Sequence, residues 1–161
     1  MATNTNKTEK HIVSASATIP ARRERVYSLI ANYRDGHPRI LPRQLKNLVV
    51  EQGGIGAGTV IRFQMSIFGK TQTFRAAITE PDPGHILVET YLDSSNGAIT
   101  TFTVAPGSAP ADSHVTISTE LKVRGGLPGS IEKLLTTALL RPIYKKELEN
   151  LARVATGPFG F

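Results

Sequence analysis

The stretch "PGSIEKLLTTALLRPIYKKELENLARVA", residues 128–155, decides the fold. Its apolar residues Ile131, Leu134, Leu135, Ala138, Ile143, Tyr144, Leu148, Leu151 and Ala152 read as one helical stripe. A helix of about 25 residues, at roughly 1.5 Å each, is a rod about 40 Å long. Pro142 lies inside it, removes a backbone donor and predicts a kink. A rod of that length with one apolar face needs a broad apolar surface to lie on.

The chain upstream supplies strands. Candidates are 45–52, 59–68, 71–80, 86–92, 98–105 and 114–124, joined by "GGIGAG", "GK", "PDPG", "SNG" and "PGSAPADS". Earlier still, "HIVSASATIP" alternates from Ile12 to Ile19 and stops at Pro20. "ARRERVYSLIANY" then places Val26, Leu29, Ile30 and Tyr33 at helical spacing, with arginines opposite. "DGHPRILP", residues 35–42, is broken by Gly36, Pro38 and Pro42 and has room for one helical turn. Residues 1–9 are polar and aperiodic and read as a disordered arm, 10–155 as one domain and 156–161 as a tail. The class is α+β: about seven antiparallel strands in a meander, with the long helix across the concave side.

A chain of 161 residues is enough for one domain with a sizeable core. There is no cysteine, so disulfides and thiolate metal sites are excluded and a reducing cytoplasm is the expected compartment. The first residues hold no signal-peptide-like apolar run, and no stretch approaches the roughly 20 apolar residues that span a bilayer. Net charge is +6, concentrated in residues 20–46, where Arg22, Arg23, Arg25, Arg34, Arg39, Arg43 and Lys46 face only Glu24 and Asp35. The reading is a solvated helix face, with peripheral membrane contact through Arg22, Arg23 and Arg25 as the alternative. Nucleic acid is not expected as a partner, since only Tyr27 and Tyr33 interleave with these cations and no nucleic-acid motif is present. His11, His37, His85 and His114 stand alone without metal-ligand spacing, and there is no nucleophile motif or P-loop. No metal or cofactor is expected.

The element order, with "ATIPARRERVYSLIANY", "GGIGAGTVIRF", "EPDPGHILVET", "TTFTV" and "GSIEKLLTTALLRPIYKKELENLARVA", resembles the SRPBCC superfamily. This is the helix-grip group of START-related lipid-binding domains, birch-pollen-allergen-like proteins and polyketide cyclases. The resemblance covers about residues 10–155. It implies a curved antiparallel sheet gripping the last helix, with a cavity between them for an apolar small molecule. No single motif in the group fixes a reaction.

Strand faces follow from register. If Phe68 pairs with Thr71 across "GK", then Met65 faces Phe74, Phe63 faces Ala76 and Ile61 faces Ile78, all inward. Arg62 and Arg75 fall on the outer face. Asn96-Gly97 is a hairpin signal that pairs Ser95 with Ala98, Tyr91 with Phe102 and Glu89 with Val104. Inward Phe102 and Val104 bring Leu87, Glu89 and Tyr91 inward too. The competing register puts Ile86, Val88, Thr90 and Leu92 inside and leaves Glu89 in water. Val115, Ile117, Thr119, Leu121 and Val123 line the last strand, and Leu135 faces the cavity from the helix. "DGHPRILP" is chiefly a corner, whose His37 sits at the rim within reach of a ligand. "GGIGAG" and "GGLPG" read as flexible rim loops.

Such a cavity has apolar walls and a few polar handles. The first reading is binding, with transport or sequestration, of an apolar or amphipathic molecule such as a lipid, polyketide or isoprenoid. The alternative is a polyketide cyclase or dehydratase, with Glu89 and Tyr91 as candidate catalytic groups. A third is a membrane-surface or protein-partner module using the basic helix. Cyclase chemistry wants at least two positioned ionisable groups, and the sequence defends one, Glu89.

Overall fold

The computed structural model describes residues 7–158. Seven strands, β1 (Thr8–Ile19), β2 (Leu45–Gln52), β3 (Val60–Ile67), β4 (Lys70–Asp82), β5 (Ile86–Tyr91), β6 (Ile99–Pro106) and β7 (Ser113–Arg124), form one sheet. Its order is β1-β7-β6-β5-β4-β3-β2, antiparallel throughout. Helix α1 (Arg23–Ala31) and a 3-10 turn (His37–Arg39) follow β1, and α2 (Gly126–Ala155) ends the fold. This is the helix-grip arrangement. The first strand pairs with the last, which leaves β1 and β2 as the two edges of a sheet that curls round α2.

β1 begins earlier than its sequence pattern suggested. Thr8 pairs with Arg124 and Glu9 with Val123, so these two residues are not part of an arm. Residues 1–6 of the proposed arm and the tail residues 159–161 lie outside the described residues.

Two hairpins differ from their expected register while keeping their faces. At the β3–β4 tip Ile67 pairs with Lys70, so the two-residue turn is Phe68-Gly69, with φ of 48° and 75°. Left-handed angles at both positions match the twist of the flanking strands. Phe63 therefore opposes Phe74, and Ile61 opposes Ala76, a shift of two residues from expectation. At β5–β6, Leu87 opposes Phe102 and Glu89 opposes Thr100. Asn96-Gly97 is no tight hairpin: it sits in a longer loop whose Asn96 carbonyl accepts a bond from Lys122 N–H at 2.9 Å, folding the loop onto β7. Both shifts are even, and side chains alternate with period two, so no residue changes face.

The glycine loops are not loose rims. The β2–β3 connection is pinned to α1: Tyr33 N–H donates to Gly54 O at 2.9 Å, and Gly56 N–H to Ala31 O at 2.9 Å. Glu80 accepts from Tyr27 hydroxyl at 2.7 Å and from Ala57 N–H at 2.8 Å. "GGLPG" runs into the first turns of α2, where Gly129 lies so close to the Arg124 carbonyl that a Cβ would sit 1.5 Å from its oxygen.

Arg25 also departs from the solvated-face reading. Its guanidinium donates to Ala155 O at 2.6 Å and Gly157 O at 3.3 Å. It thus satisfies free carbonyls at the end of α2, where the helix dipole favours a cation. Arg22 and Arg23 are exposed.

α2 runs unbroken through Pro142. Its second half packs with Ile143, Tyr144, Leu148 and Leu151 in the core. In its first half, Ile131, Leu134, Leu135 and Ala138 point to solvent, and Leu135 is 62% exposed rather than lining the cavity. Continuous helical steps back from Leu151 pass through Leu148, Tyr144, Leu140, Thr136 and Glu132, which is the face turned inward. The step from Ala138 to Ile143 is five residues, too long for one stripe. Bonds from His11 Nε2 to Thr137 Oγ1 (2.9 Å) and Lys133 Nζ to Glu9 (2.5 Å) hold that half of the helix against β1.

Candidate functional site

Between α2 and the sheet lies a cavity in two parts. The outer chamber, about 260 Å³, is walled by Phe74, Leu121, Leu139 and Leu140, with Arg75, Asp93 and Glu132 among its polar residues. The inner recess, about 30 Å³, is walled by Ile61, Phe63, Phe102 and Ile143 and holds His37, Glu89 and Glu147. Met65, Tyr91 and Tyr144 border both parts.

The 3-10 turn places His37, and its position overturns the expected rim location: the side chain is buried at the closed end. Its Nδ1–H donates to Ile30 O at 2.7 Å, using a carbonyl left free near the end of α1. The ring stacks on Tyr33 (centroids 4.4 Å apart) and meets the edge of Phe102 at 5.6 Å. Burial lowers its pKa from 6.5 to about 4, partly opposed by the Ile30 bond. His37 is therefore neutral at pH 7, and Nε2 presents a lone pair.

That lone pair faces two carboxyls. Glu89 Oε1 lies 3.9 Å from Nε2 and Glu147 Oε1 lies 3.8 Å away. With the imidazole neutral, these are not ion pairs, and both distances exceed a hydrogen bond. Glu89 stands on β5 with its side chain inward and accepts from Tyr33 hydroxyl at 2.7 Å. Burial raises its pKa from 4.5 to about 7, against the lowering effect of bonds from Tyr33 and Tyr91. Glu147 is pushed well above the carboxylate range by burial and then by the charge of Glu89. Among the described residues, nothing hydrogen-bonds the Glu147 carboxyl.

A line of hydroxyls runs from this cluster across the sheet. Thr100 Oγ1 donates to Tyr91 hydroxyl at 3.3 Å and bonds Thr119 Oγ1 at 2.6 Å, and Thr119 in turn bonds Tyr144 hydroxyl. Burial raises the Tyr33 and Tyr91 phenols well above 10 and Tyr144 to about 12, so all three stay protonated donors. Among the described residues no group of three or more His, Cys, Asp or Glu is placed to hold a metal ion. His11 bonds Thr137, His85 lies beside Asp82 at 2.9 Å on the surface, and His114 is exposed.

The sequence-derived lining divides as follows. Ile61, Phe63, Met65, Phe74, Glu89, Tyr91, Phe102 and Thr119 border one or both parts of the cavity, as does His37. Ala76, Ile78, Leu87, Val104 and Ile117 are buried on the same face but form core beneath it. Arg62 and Arg75 both pair with Glu51, at 3.1 and 2.8 Å. Sequence reasoning missed Tyr33 as a polar partner, Thr100, and above all Glu147. A signal for Glu147 existed: it follows Ile143 by four residues and Tyr144 by three, on the stripe itself.

A curled antiparallel sheet with a C-terminal helix across it and an acid-bearing cavity between them defines a helix-grip ligand-cavity protein. Residues 10–156 match the family model described as polyketide cyclase / dehydrase and lipid transport, and the chain belongs to that family. Among solved structures, the solution structure of the KanY protein is 26% identical, with a TM-score of 0.80, covering 92% of this chain and 99% of that one. A START superfamily protein from Mycobacterium smegmatis is 17% identical (TM-score 0.70; 90% and 97% covered). The Zhui aromatase/cyclase from Streptomyces sp. R1128 is 14% identical (TM-score 0.74; 91% and 94% covered). The last two likenesses speak for the fold alone. Among curated proteins none matches the chain. No described helix is long and apolar enough to cross a membrane.

Proposed function

We propose that the protein binds a small amphipathic molecule, apolar body in the outer chamber and polar end in the recess. The observation that carries this is one cavity in two parts joined at Met65, Tyr91 and Tyr144: a chamber walled by Phe74, Leu121, Leu139 and Leu140 with a polar mouth, and a narrow recess whose apolar walls hold His37, Glu89 and Glu147. Apolar walls supply bulk affinity and the recess supplies orientation. The chamber suits a body of one or two rings, or a short folded chain of a lipid, polyketide or isoprenoid kind. The absence of cysteine supports a cytoplasmic setting. The test is titration with a neutral, environment-sensitive apolar dye. Leu139→Trp, which fills the chamber, should weaken dye binding at least tenfold. Unchanged binding refutes the site.

A second reading, acid–base catalysis of the cyclase or dehydratase kind, is favoured by Glu89. A carboxyl with a pKa of about 7 can both take and give a proton at neutral pH. His37 and Glu147 supply the further ionisable groups that such chemistry wants. Glu89→Gln would then keep ligand affinity within about tenfold but lower turnover by roughly 10²–10⁴. An enzyme unaffected by that substitution would return the protein to binding alone.

A further inference from the structure

We propose that the polar end of the ligand is a protonated amine, held between His37, Glu89 and Glu147. This rests on the reading of the cavity as a small-molecule site and names the chemistry of its occupant.

Three acceptors converge on one space. His37 Nε2 offers a lone pair because Nδ1 spends its proton on Ile30 O. Glu89 and Glu147 approach that nitrogen to 3.9 and 3.8 Å from two other elements, β5 and α2. Glu147 is 97% buried (3% exposed), faces the recess and has no hydrogen-bond partner among the described residues. Every other titratable or charged group lining the recess is a phenol, Tyr91 on β5 or Tyr144 on α2, with the Tyr33 phenol behind them on Glu89. The walls from β2, β3 and β6 carry none, and no lysine or arginine lines the recess. Arg75, Asp93 and Glu132 belong to the outer chamber.

An ammonium group brings three donors and no acceptor, which matches His37 Nε2 and the two carboxyls once these have given up their protons. Its charge also favours ionisation of the carboxyls beside it, lowering the cost of a negative charge in a buried recess. A carboxylate or phosphate head brings acceptors with no donors for His37 Nε2, and meets like charge once Glu89 is ionised. A hydroxyl supplies one donor for three acceptors. Size agrees: about 30 Å³ takes a head of one or two heavy atoms, since roughly 10–15 Å³ by this measure holds a water. The rings of Tyr91 and Phe102, which line the recess, suit a site that favours a cation.

The experiment compares 2-phenylethylamine, 2-phenylethanol and 3-phenylpropionate on the intact protein by calorimetry, in buffers of differing ionisation enthalpy, from pH 5.5 to 8. The amine stays protonated throughout. It should bind at least tenfold tighter than the alcohol at pH 8, gain affinity as pH rises, and release protons to the buffer. Glu147→Gln should lower amine affinity at least tenfold and leave the alcohol unchanged, with a cooperative melt showing that the variant folds. Alcohol or anion binding as tight as the amine, or amine binding without proton release or pH dependence, overturns the proposal and leaves the binding site standing. If none of the three binds and the apolar dye is also rejected, the cavity reading itself fails and this inference falls with it.

Discussion

Replacing Glu89 with glutamine should reshape the pH dependence of stability. Burial raises the Glu89 pKa from 4.5 to about 7. A raised folded-state pKa gives stability that is complete below 4.5 and lost as pH rises towards 7. At about 1.4 kcal/mol per pH unit the loss is about 3 kcal/mol. His37 runs the other way. Its folded pKa is lowered from 6.5 to about 4, so its contribution is present above 6.5 and is lost as pH falls towards 4, again by about 3 kcal/mol. Between pH 4.5 and 6.5 the His37 slope opposes that of Glu89, while Glu147, also raised, falls with Glu89, so the wild-type profile should decline across this window. Glutamine keeps the size and an acceptor for Tyr33 but cannot ionise. Urea unfolding at half-unit steps from pH 4 to 9 would measure the variant minus wild-type difference, in which His37 and all remote groups cancel. That difference should grow by about 3 kcal/mol between pH 4.5 and 7. Removing the Glu89 charge also leaves the Glu147 pKa less raised, so the difference climbs further at the higher pH where Glu147 ionises. A difference that does not change with pH would mean that Glu89 ionises as freely as in water, and the closed recess would have to be abandoned.

Phe63→Ala should destabilise by roughly 3–5 kcal/mol and alter dye uptake, because Phe63 is buried against Phe74 at 5.6 Å and walls the recess. Arg62→Ala, one position away on the wet face, should leave dye uptake unchanged; the reverse ranking would invert the sheet faces. Arg25→Gln should cost about 1–2 kcal/mol in thermal or urea unfolding through its lost carbonyl bonds, and Arg22→Gln or Arg23→Gln less than about 0.5 kcal/mol. Equal effects at all three would show that Arg25 does not anchor α2. Truncation before Leu127 should yield a fragment without cooperative melting, since Ile143, Tyr144, Leu148 and Leu151 leave the core with α2. A soluble, cooperatively melting fragment would contradict the architecture.

What was legible in the sequence follows from which physical signals are local. Strand faces depend only on alternation, so they survived a two-residue error at Phe68-Gly69 and a four-residue error at Asn96-Gly97. Glu89 was placed inward through its parity with Phe102, even though its true opposite residue is Thr100. Exact pairing was not legible, because the Asn96 loop is set by a bond to Lys122 on a distant strand. His37 was misplaced for the same kind of reason. Its turn folds back under α1, and only there does the Ile30 carbonyl pull the ring to the closed end. Glu147 is different: its helical phase was on the page, but the "KKELEN" charge run reads as surface, and a single acid on a buried stripe is easily counted with its neighbours. The first half of α2 failed through the opposite error. Leu134 and Leu135 look like core by composition, yet the helical phase set by Ile143 and Tyr144 turns Thr136 and Glu132 inward instead. Phase carried more information than hydrophobicity in both halves of this helix. The polar residues it places inside, Tyr144 and Glu147, are those that make a cavity of what would otherwise be packed core.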